Sequence, residues 1–441
     1  MFGWLKALFG SAPTLSTRST PAASAAKPAA PAAPAASPAP VAATEPIHAF
    51  GQRRPLVGPG GGVVGFEWRL PAALEERLLA RGIDALAAHF AALLAAAGEA
   101  QAAGRQALVR IPAGLLARPG VASRAVAGTM VLPEGAPLPP RIEQALRERG
   151  VKLGVPDGPP ARAPQADFVV LRAASGGIDT LLLAAQHWVE ARPGLTRVAL
   201  GLDNIDDLER VLGSGIALAG GRFDASRRQQ PARQLSAAAH RICVLINDLA
   251  MDRDTATVAD TVRADVALSY RLLRYANSPA IGLTQGVETV ERAVTLLGRA
   301  EIGRWLSVML MSAASGRQAS SALQEHALAR GRLLEALATR AGVARPQSLF
   351  TVGLMSKLDL LLQMPLAAAL EPLRLSDEAR QALLQRQGPW VGYLELADTL
   401  EGDDEARLTA LSSPFGGMEV VLDEAAKAWG WAAEVAGLQK G

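Results

Sequence analysis

Residues Asp265 to Ser307 read DVALSYRLLRYANSPAIGLTQGVETVERAVTLLGRAEIGRWLS, and this stretch decides the fold of the second half of the chain. Leu268, Leu272 and Leu273 give one apolar helical face. Asn277-Ser278-Pro279 stops that helix, because proline lacks a backbone donor and restricts the residue before it. A connection containing Gly282 and Gly286 follows. Val290, Ala293, Val294 and Leu297 then repeat the apolar face at i, i+3, i+4 and i+7. Gly298 is placed to end the second helix in a left-handed conformation. Ile302, Leu306, Met309 and Leu310 continue the pattern in a third.

Working outward, residues 234–441 are expected to be almost wholly helical. Helices are expected at Arg233–Leu249 and Thr255–Ala264 before the stretch. After it they are expected at His326–Ala341, Ser348–Leu362, Leu366–Leu370, Asp377–Gln385, Val391–Leu400 and Met418–Ala436. Glu401-Gly402-Asp403-Asp404-Glu405 reads as a solvated acidic loop. The 441 residues are 49% hydrophobic but only 4% aromatic, so the cores are built mostly from Leu, Ala and Val. Net charge is +3 with arginines scattered, which leaves no nucleic-acid footprint. The lone Cys243 excludes an intramolecular disulfide and fits a reducing compartment; its apolar neighbours make it a core thiol.

The stretch resembles the HDOD domain, a helical relative of the HD-type metal phosphohydrolases. The matching pieces are Val262-x-x-Asp265, Leu272-Leu273, Ala276-Asn277-Ser278 and Val290-x-x-Ala293-x-x-x-Leu297-Gly298. The resemblance implies that the family's His-Asp metal pair falls on Ser356 and Lys357, within Gly353-Leu354-Met355-Ser356-Lys357-Leu358-Asp359. HDOD domains lack those ligands in general, so this loss agrees with the resemblance. His326 falls on the first ligand's position, although a lone histidine on an apolar helix is more often a packing residue. The five histidines are too widely separated for a local metal motif. No cofactor is expected.

Ahead of the helical half, MFGWLKALFG (1–10) is bulky and apolar. It reads either as a short amphipathic segment in weak contact with a membrane surface or a partner, or as a loose end. No unbroken apolar run reaches the ~18 residues of a membrane span. Residues 11–46 are an Ala/Pro-rich disordered linker. From residue 47 the texture changes. RRPLVGPGGGVVGFEWRL reads as two strands joined by a glycine turn. Gly60-x-Gly62-x-x-Gly65 fits a dinucleotide fingerprint, but a strand rather than a helix follows it, so the hairpin reading stands. Further strands are expected at Ala107–Ile111, Thr129–Leu132, Lys152–Val155, Phe168–Leu171, Arg197–Leu200 and Ile216–Ala219. Helices are expected at Pro71–Ala97, Arg141–Arg149, Ile178–Ala191 and Ile205–Leu212, the last capped by Asp203 and Asp206. Such alternation argues for a βα barrel.

This order resembles an EAL domain, the cyclic-di-GMP phosphodiesterase barrel. Arg54-Pro55-Leu56-Val57 through Gly65-Phe66-Glu67 resembles the first hairpin, Ala166-Asp167-Phe168-Val169 the strand of the catalytic lysine, and Gly215 to Gly221 the last strand. The resemblance implies two metals held by carboxylates and an asparagine. Glu67 is kept, followed by Trp68-Arg69. Arg110 stands for the asparagine, Pro133 beside Glu134 for a glutamate, and Pro156-Asp157 for the paired aspartates. Val170 replaces the lysine, Arg172 an aspartate, Leu200 a glutamate, Asp203 another acid and Gly220 the glutamine. Glu67, Asp157 and Asp203 thus form the remnant of the site, too few to hold two cations. The segment 48–233 is about 186 residues against ~250 for an ordinary barrel, so an element or two is expected to be missing.

The fold class is therefore α/β plus all-α: a degenerate, shortened EAL-type barrel at 47–233 followed by an all-helical HDOD domain at 234–441. Asn277, Ser278, Pro279 and Gly298 are its structural motif. The order resembles EAL-plus-modified-HD bacterial signalling proteins. It implies a non-enzymatic adaptor, cytoplasmic and peripheral at the inner membrane, whose partners are other signalling proteins. Cyclic-di-GMP binding is not expected. The alternative is a cyclic-di-GMP receptor or a residual phosphodiesterase.

Overall fold

The computed structural model describes residues 51–160, 165–173, 177–226, 235–278, 281, 286–313, 318–402 and 404–440. The expectations for 1–10 and 11–46 lie outside the described residues, as does Pro279. Eight strands close a barrel in sequence order: β1 (Gln52–Val57), β2 (Val63–Arg69), β3 (Gln106–Pro112), β4 (Met130–Glu134), β5 (Lys152–Pro156), β6 (Phe168–Arg172), β7 (Thr196–Leu202) and β8 (Leu218–Gly221). β1 runs antiparallel to both neighbours, pairing Pro55 with Phe66 and Leu56 with Gly220, while β2 to β8 are parallel.

All eight strands are present, so what the length leads one to expect missing is not a strand. The shortening falls on the crossovers. Among the described residues no α-helix joins β5 to β6, and the β3–β4 crossover holds only the short helix Ala113–Leu116 and a single 3₁₀ turn. Closure needs all eight ladders paired, whereas a crossover can lose its helix without exposing an edge. The interior is a dry layer of Leu56, Leu108, Met130, Leu132, Phe168, Val170, Val198, Leu200 and Leu218.

The expected helix Pro71–Ala97 is two helices, Ala72–Ala80 and Ile83–Ala102, broken at Gly82 with φ 113°. Ile83–Ala102 is long and apolar enough to cross a membrane by composition. In the fold it buries Leu86, Phe90, Leu93, Leu94 and Ala97 in the core. Helix Ile205–Leu212 is capped by Asn204, whose side chain accepts from Asp207 N. Asp203 and Asp206 do not provide the cap.

The second half is helical from Ala237 to Lys440. The expected Ser348–Leu362 divides at Ser356-Lys357 into Pro346–Met355 and Leu358–Leu362. Glu405–Ser412 is a helix that the acidic pattern hid. The Asn277 carboxamide binds both sides of the bend: its Nδ2 donates to Leu273 O and Val287 O, and its Oδ1 accepts from Val287 N, each at 2.8 Å. Ser278 beside it is buried.

Gly298 interrupts Val290–Ala313 with φ 72° and ψ 169°. The expectation of a left-handed α residue is thus corrected to an extended, positive-φ conformation essentially restricted to glycine. A Cβ there would meet nothing within 4 Å, so a side chain would be opposed by torsion alone. Gly298→Ala should therefore destabilise the protein by about 1–3 kcal/mol, read from denaturant unfolding. An unchanged midpoint would refute the torsional argument.

Barrel and helices belong to one compact unit, Ile47–Gly441. The β1–β2 turn reaches the helix Ser320–Arg340, with Ala322 N donating to Gly61 O at 3.0 Å. A Cβ on Gly61 would overlap Gln318 O at 1.6 Å, so only glycine permits this approach. Phe66 of β2 packs edge-on against Trp429, with ring centroids 5.2 Å apart.

Candidate functional site

Two polar centres interrupt this apolar packing. The first lies at the C-terminal ends of the parallel strands. Arg110 on β3 reaches Glu134 on β4 at 2.6 Å and Glu67 on β2 at 3.5 Å. Burial alone would lower the Arg110 pKa, but Glu67 and Glu134 outweigh it and leave it raised. Arg172 lies near the same carboxylates, its pKa lowered by partial burial and then by Arg110. The two acids thus share their surroundings with Arg69, Arg110 and Arg172. Beneath them Val170 and Leu200 belong to the dry interior layer.

The remaining acids of the expected remnant are engaged elsewhere. Asp157 accepts from Trp188 Nε1 at 2.9 Å, and Asp203 is exposed, its carbonyl accepting from Ser226 Oγ. Among the described residues no hydrogen bond or ion pair joins Glu67, Asp157 and Asp203 to one another. Glu67 is instead held with Glu134 by Arg110.

The second centre is buried where the barrel meets the helices. Asp224 follows β8. His326 and Arg330 lie one turn apart on Ser320–Arg340, which places them on one face. Lys357 stands at the break between two helices, and Glu401 ends Val391–Glu401. Lys357 Nζ lies 2.5 Å from Asp224 Oδ2 and 3.1 Å from Glu401 Oε2. His326 Nδ1 faces Asp224 at 3.3 Å, and its Nε2 faces Glu401 at 3.0 Å. Arg330 donates to Ser356 Oγ at 2.8 Å, Glu401 at 2.6 Å and Asp398 at 2.6 Å.

Ligand atoms of Asp224, His326 and Glu401 lie within 4.8 Å of one another, a spacing that suits a metal ion. The donor set does not fit one while Lys357 stands there, because its ammonium already bridges both carboxylates. Burial would lower the Lys357 pKa, but Asp224 and Glu401 raise it, so the lysine keeps its charge. Burial would likewise raise Glu401, yet Arg330, Lys357 and His326 hold it well below the usual carboxylate range.

The reading of 401–405 as a solvated loop is corrected here. Glu401 faces three basic side chains, and Gly402 O accepts from Gln52 Nε2 at 3.3 Å and Arg54 Nη2 at 2.5 Å. Asp404 caps the next helix, and Glu405 accepts from Ala73 N at 3.0 Å. Asp403 lies outside the described residues. Local sequence could not reveal this, since every partner except Asp404's lies far away along the chain.

Removing the ammonium would leave two carboxylates facing each other out of water. Lys357→Met should destabilise the fold by about 3–5 kcal/mol, with partial recovery in Lys357→Met/Asp224→Asn; a neutral single substitution would contradict the arrangement. The acid side follows from linkage. The folded pKa of Glu401 lies below its ordinary value of 4.5, so its contribution is full above that value and lost as pH falls. Melting temperature should drop between about pH 5 and about pH 3, and less steeply in Glu401→Gln. Equal slopes would assign the acid sensitivity elsewhere.

The HDOD domain model matches residues 233–386. Uncharacterized protein YuxH of Bacillus subtilis is 28% identical over 214 residues, 48% of this chain and 52% of YuxH. Cyclic di-GMP phosphodiesterase CdgJ of Vibrio cholerae is 29% identical over 152 residues, 34% of this chain and 35% of CdgJ. The chain thus spans about half or less of these relatives. Among solved structures, an EAL domain protein of Listeria monocytogenes aligns with 40% of this chain and 87% of its own, at 12% identity and TM-score 0.34. Klebsiella pneumoniae BlrP1 aligns with 40% of this chain and 54% of its own, at 17% identity and TM-score 0.32. Residues 233–386 of this chain are an HDOD domain, packed in one unit with an eight-stranded βα barrel.

Proposed function

We propose that the protein is a non-enzymatic signalling adaptor that acts through protein–protein interaction of its HDOD domain, with a barrel inactive toward cyclic-di-GMP. The observation that carries this reading is Arg110 between Glu67 and Glu134. A guanidinium there neutralises the carboxylates that metal-assisted hydrolysis would need. Arg172 adds a second positive charge that disfavours any divalent ion. The buried centre supports the same reading, because Lys357 fills the space among Asp224, His326 and Glu401. Val266 and Tyr270, 83% and 63% exposed, leave apolar surface on the outside of the HDOD domain for a partner.

A cytoplasmic setting is part of the proposal. Cys243 is buried and its thiol is pushed up to about 11 by burial, which makes it an inert core group. Peripheral contact through residues 1–10 belongs to the same reading.

A second reading, a cyclic-di-GMP receptor without turnover, is favoured by an open cavity of about 730 Å³ beside β4, β5 and β6 that includes Arg147 and Arg172. CdgJ's description as a cyclic di-GMP phosphodiesterase fixes the compound to test. Purified full-length protein with magnesium or manganese should give no hydrolysis. Turnover near ordinary enzyme rates, about 1 per second or faster, would overturn the adaptor. Saturable binding without turnover, abolished by Arg172→Ala, would select the receptor.

A further inference from the structure

We infer that the seam between barrel and helices carries a seat for a compact oxyanion, a phosphate group, centred on Arg222. This residue follows β8 and is half-buried, and its guanidinium has no hydrogen-bond or ion-pair partner among the described residues. Its Nε is shut off from solvent without an acceptor. The guanidinium lies against Gly402, with Cζ 3.6 Å from where a Cβ would stand. It borders an open cleft of about 370 Å³ shared with Arg386 and Arg407.

The two neighbouring arginines each hold one carboxylate, Arg386 with Asp398 at 3.0 Å and Arg407 with Glu395 at 3.3 Å. Both are about half-exposed, so each has donors left for a ligand. The third acid of the cleft, Asp404, is committed to the cap at Arg407 N, 3.0 Å away. Arg222 is therefore the guanidinium of the cleft that has no ion-pair partner among the described residues. Three guanidiniums from separate segments suit a tetrahedral oxyanion, which accepts in several directions, better than a planar carboxylate, which a single fork satisfies. The cleft has no aromatic or large apolar lining, so no apolar surface in it would cover the face of a nucleobase.

Occupancy would also bear on the joint. Gly402 has Arg222 on one side and receives Gln52 and Arg54 of β1 on its carbonyl. An anion bound to Arg222, Arg386 and Arg407 would tie the residue after β8 to Glu405–Ser412 and to the turn that precedes Val391–Glu401.

The test is titration of the full-length chain with inorganic phosphate at constant ionic strength, followed by calorimetry and melting temperature. We expect saturable binding with a rise in melting temperature that chloride does not give. Arg222→Ala should fold normally and weaken binding about tenfold or more. Arg222→Lys, which keeps the charge but not the fork, should fall between. GMP should bind no more tightly than phosphate itself, which separates a bare phosphate group from a nucleotide. Equal phosphate response in wild type and Arg222→Ala would overturn the seat, as would GMP binding tenfold tighter than phosphate. Cyclic-di-GMP hydrolysis that survives Arg222→Ala would defeat the adaptor reading and leave this one standing.

Discussion

The Lys357 ammonium between Asp224 and Glu401 is the interaction on which the relation of the two halves depends. Each of the three residues comes from a different part of the chain: the end of the last strand, a helix break, and a helix terminus. Withdrawing such charges from water is costly, and the pairing offsets that cost only while all three are in place. Hydrophobic burial alone, such as Phe66 on Trp429, would hold the halves together without fixing their register. The ionic contacts select one arrangement, because a small displacement leaves an unpaired charge out of water.

The barrel mouth and the buried joint follow one physical rule. At each, carboxylates from separate segments converge on a basic side chain that supplies the positive charge, and at the joint the ligand atoms of Asp224, His326 and Glu401 lie within 4.8 Å of one another. Arg110 supplies the charge for Glu67 and Glu134, and Lys357 for Asp224 and Glu401. A side-chain cation is tethered and cannot activate water or polarise a phosphoryl oxygen as a metal does.

Much of the fold was legible because periodicity is local. Leu268, Leu272 and the Val290–Leu297 face announced helices, and the alternation from Ala107 to Ala219 announced the barrel. Chain length pointed to a missing element without saying which, and it is the crossovers rather than the strands that are short. Asn204 was overlooked as a cap because two neighbouring aspartates offered the same chemistry. At the mouth the sequence named Arg110 and Arg172, and in the structure Arg110 lies against Glu67 and Glu134. The joint was not legible: His326 looked like a lone core histidine and Glu401 like the edge of a solvated loop. Their meaning lies in Asp224 and Lys357, which only the tertiary fold brings near them.

Part of what latches the halves lies beyond the HDOD match at 233–386. Asp398, Glu401, Gly402, Glu405 and Trp429 all belong to it, and it contacts β1, β2, the helix after β2 and the residue after β8. Gln52 and Arg54, which hold it, are the residues of β1 paired with Arg69 and Glu67 of β2. Glu67, the ladder partner of Arg54, is bound by Arg110, while Arg54 itself is bound to Gly402, so one strand pair carries a contact of the mouth and a contact of the helical half.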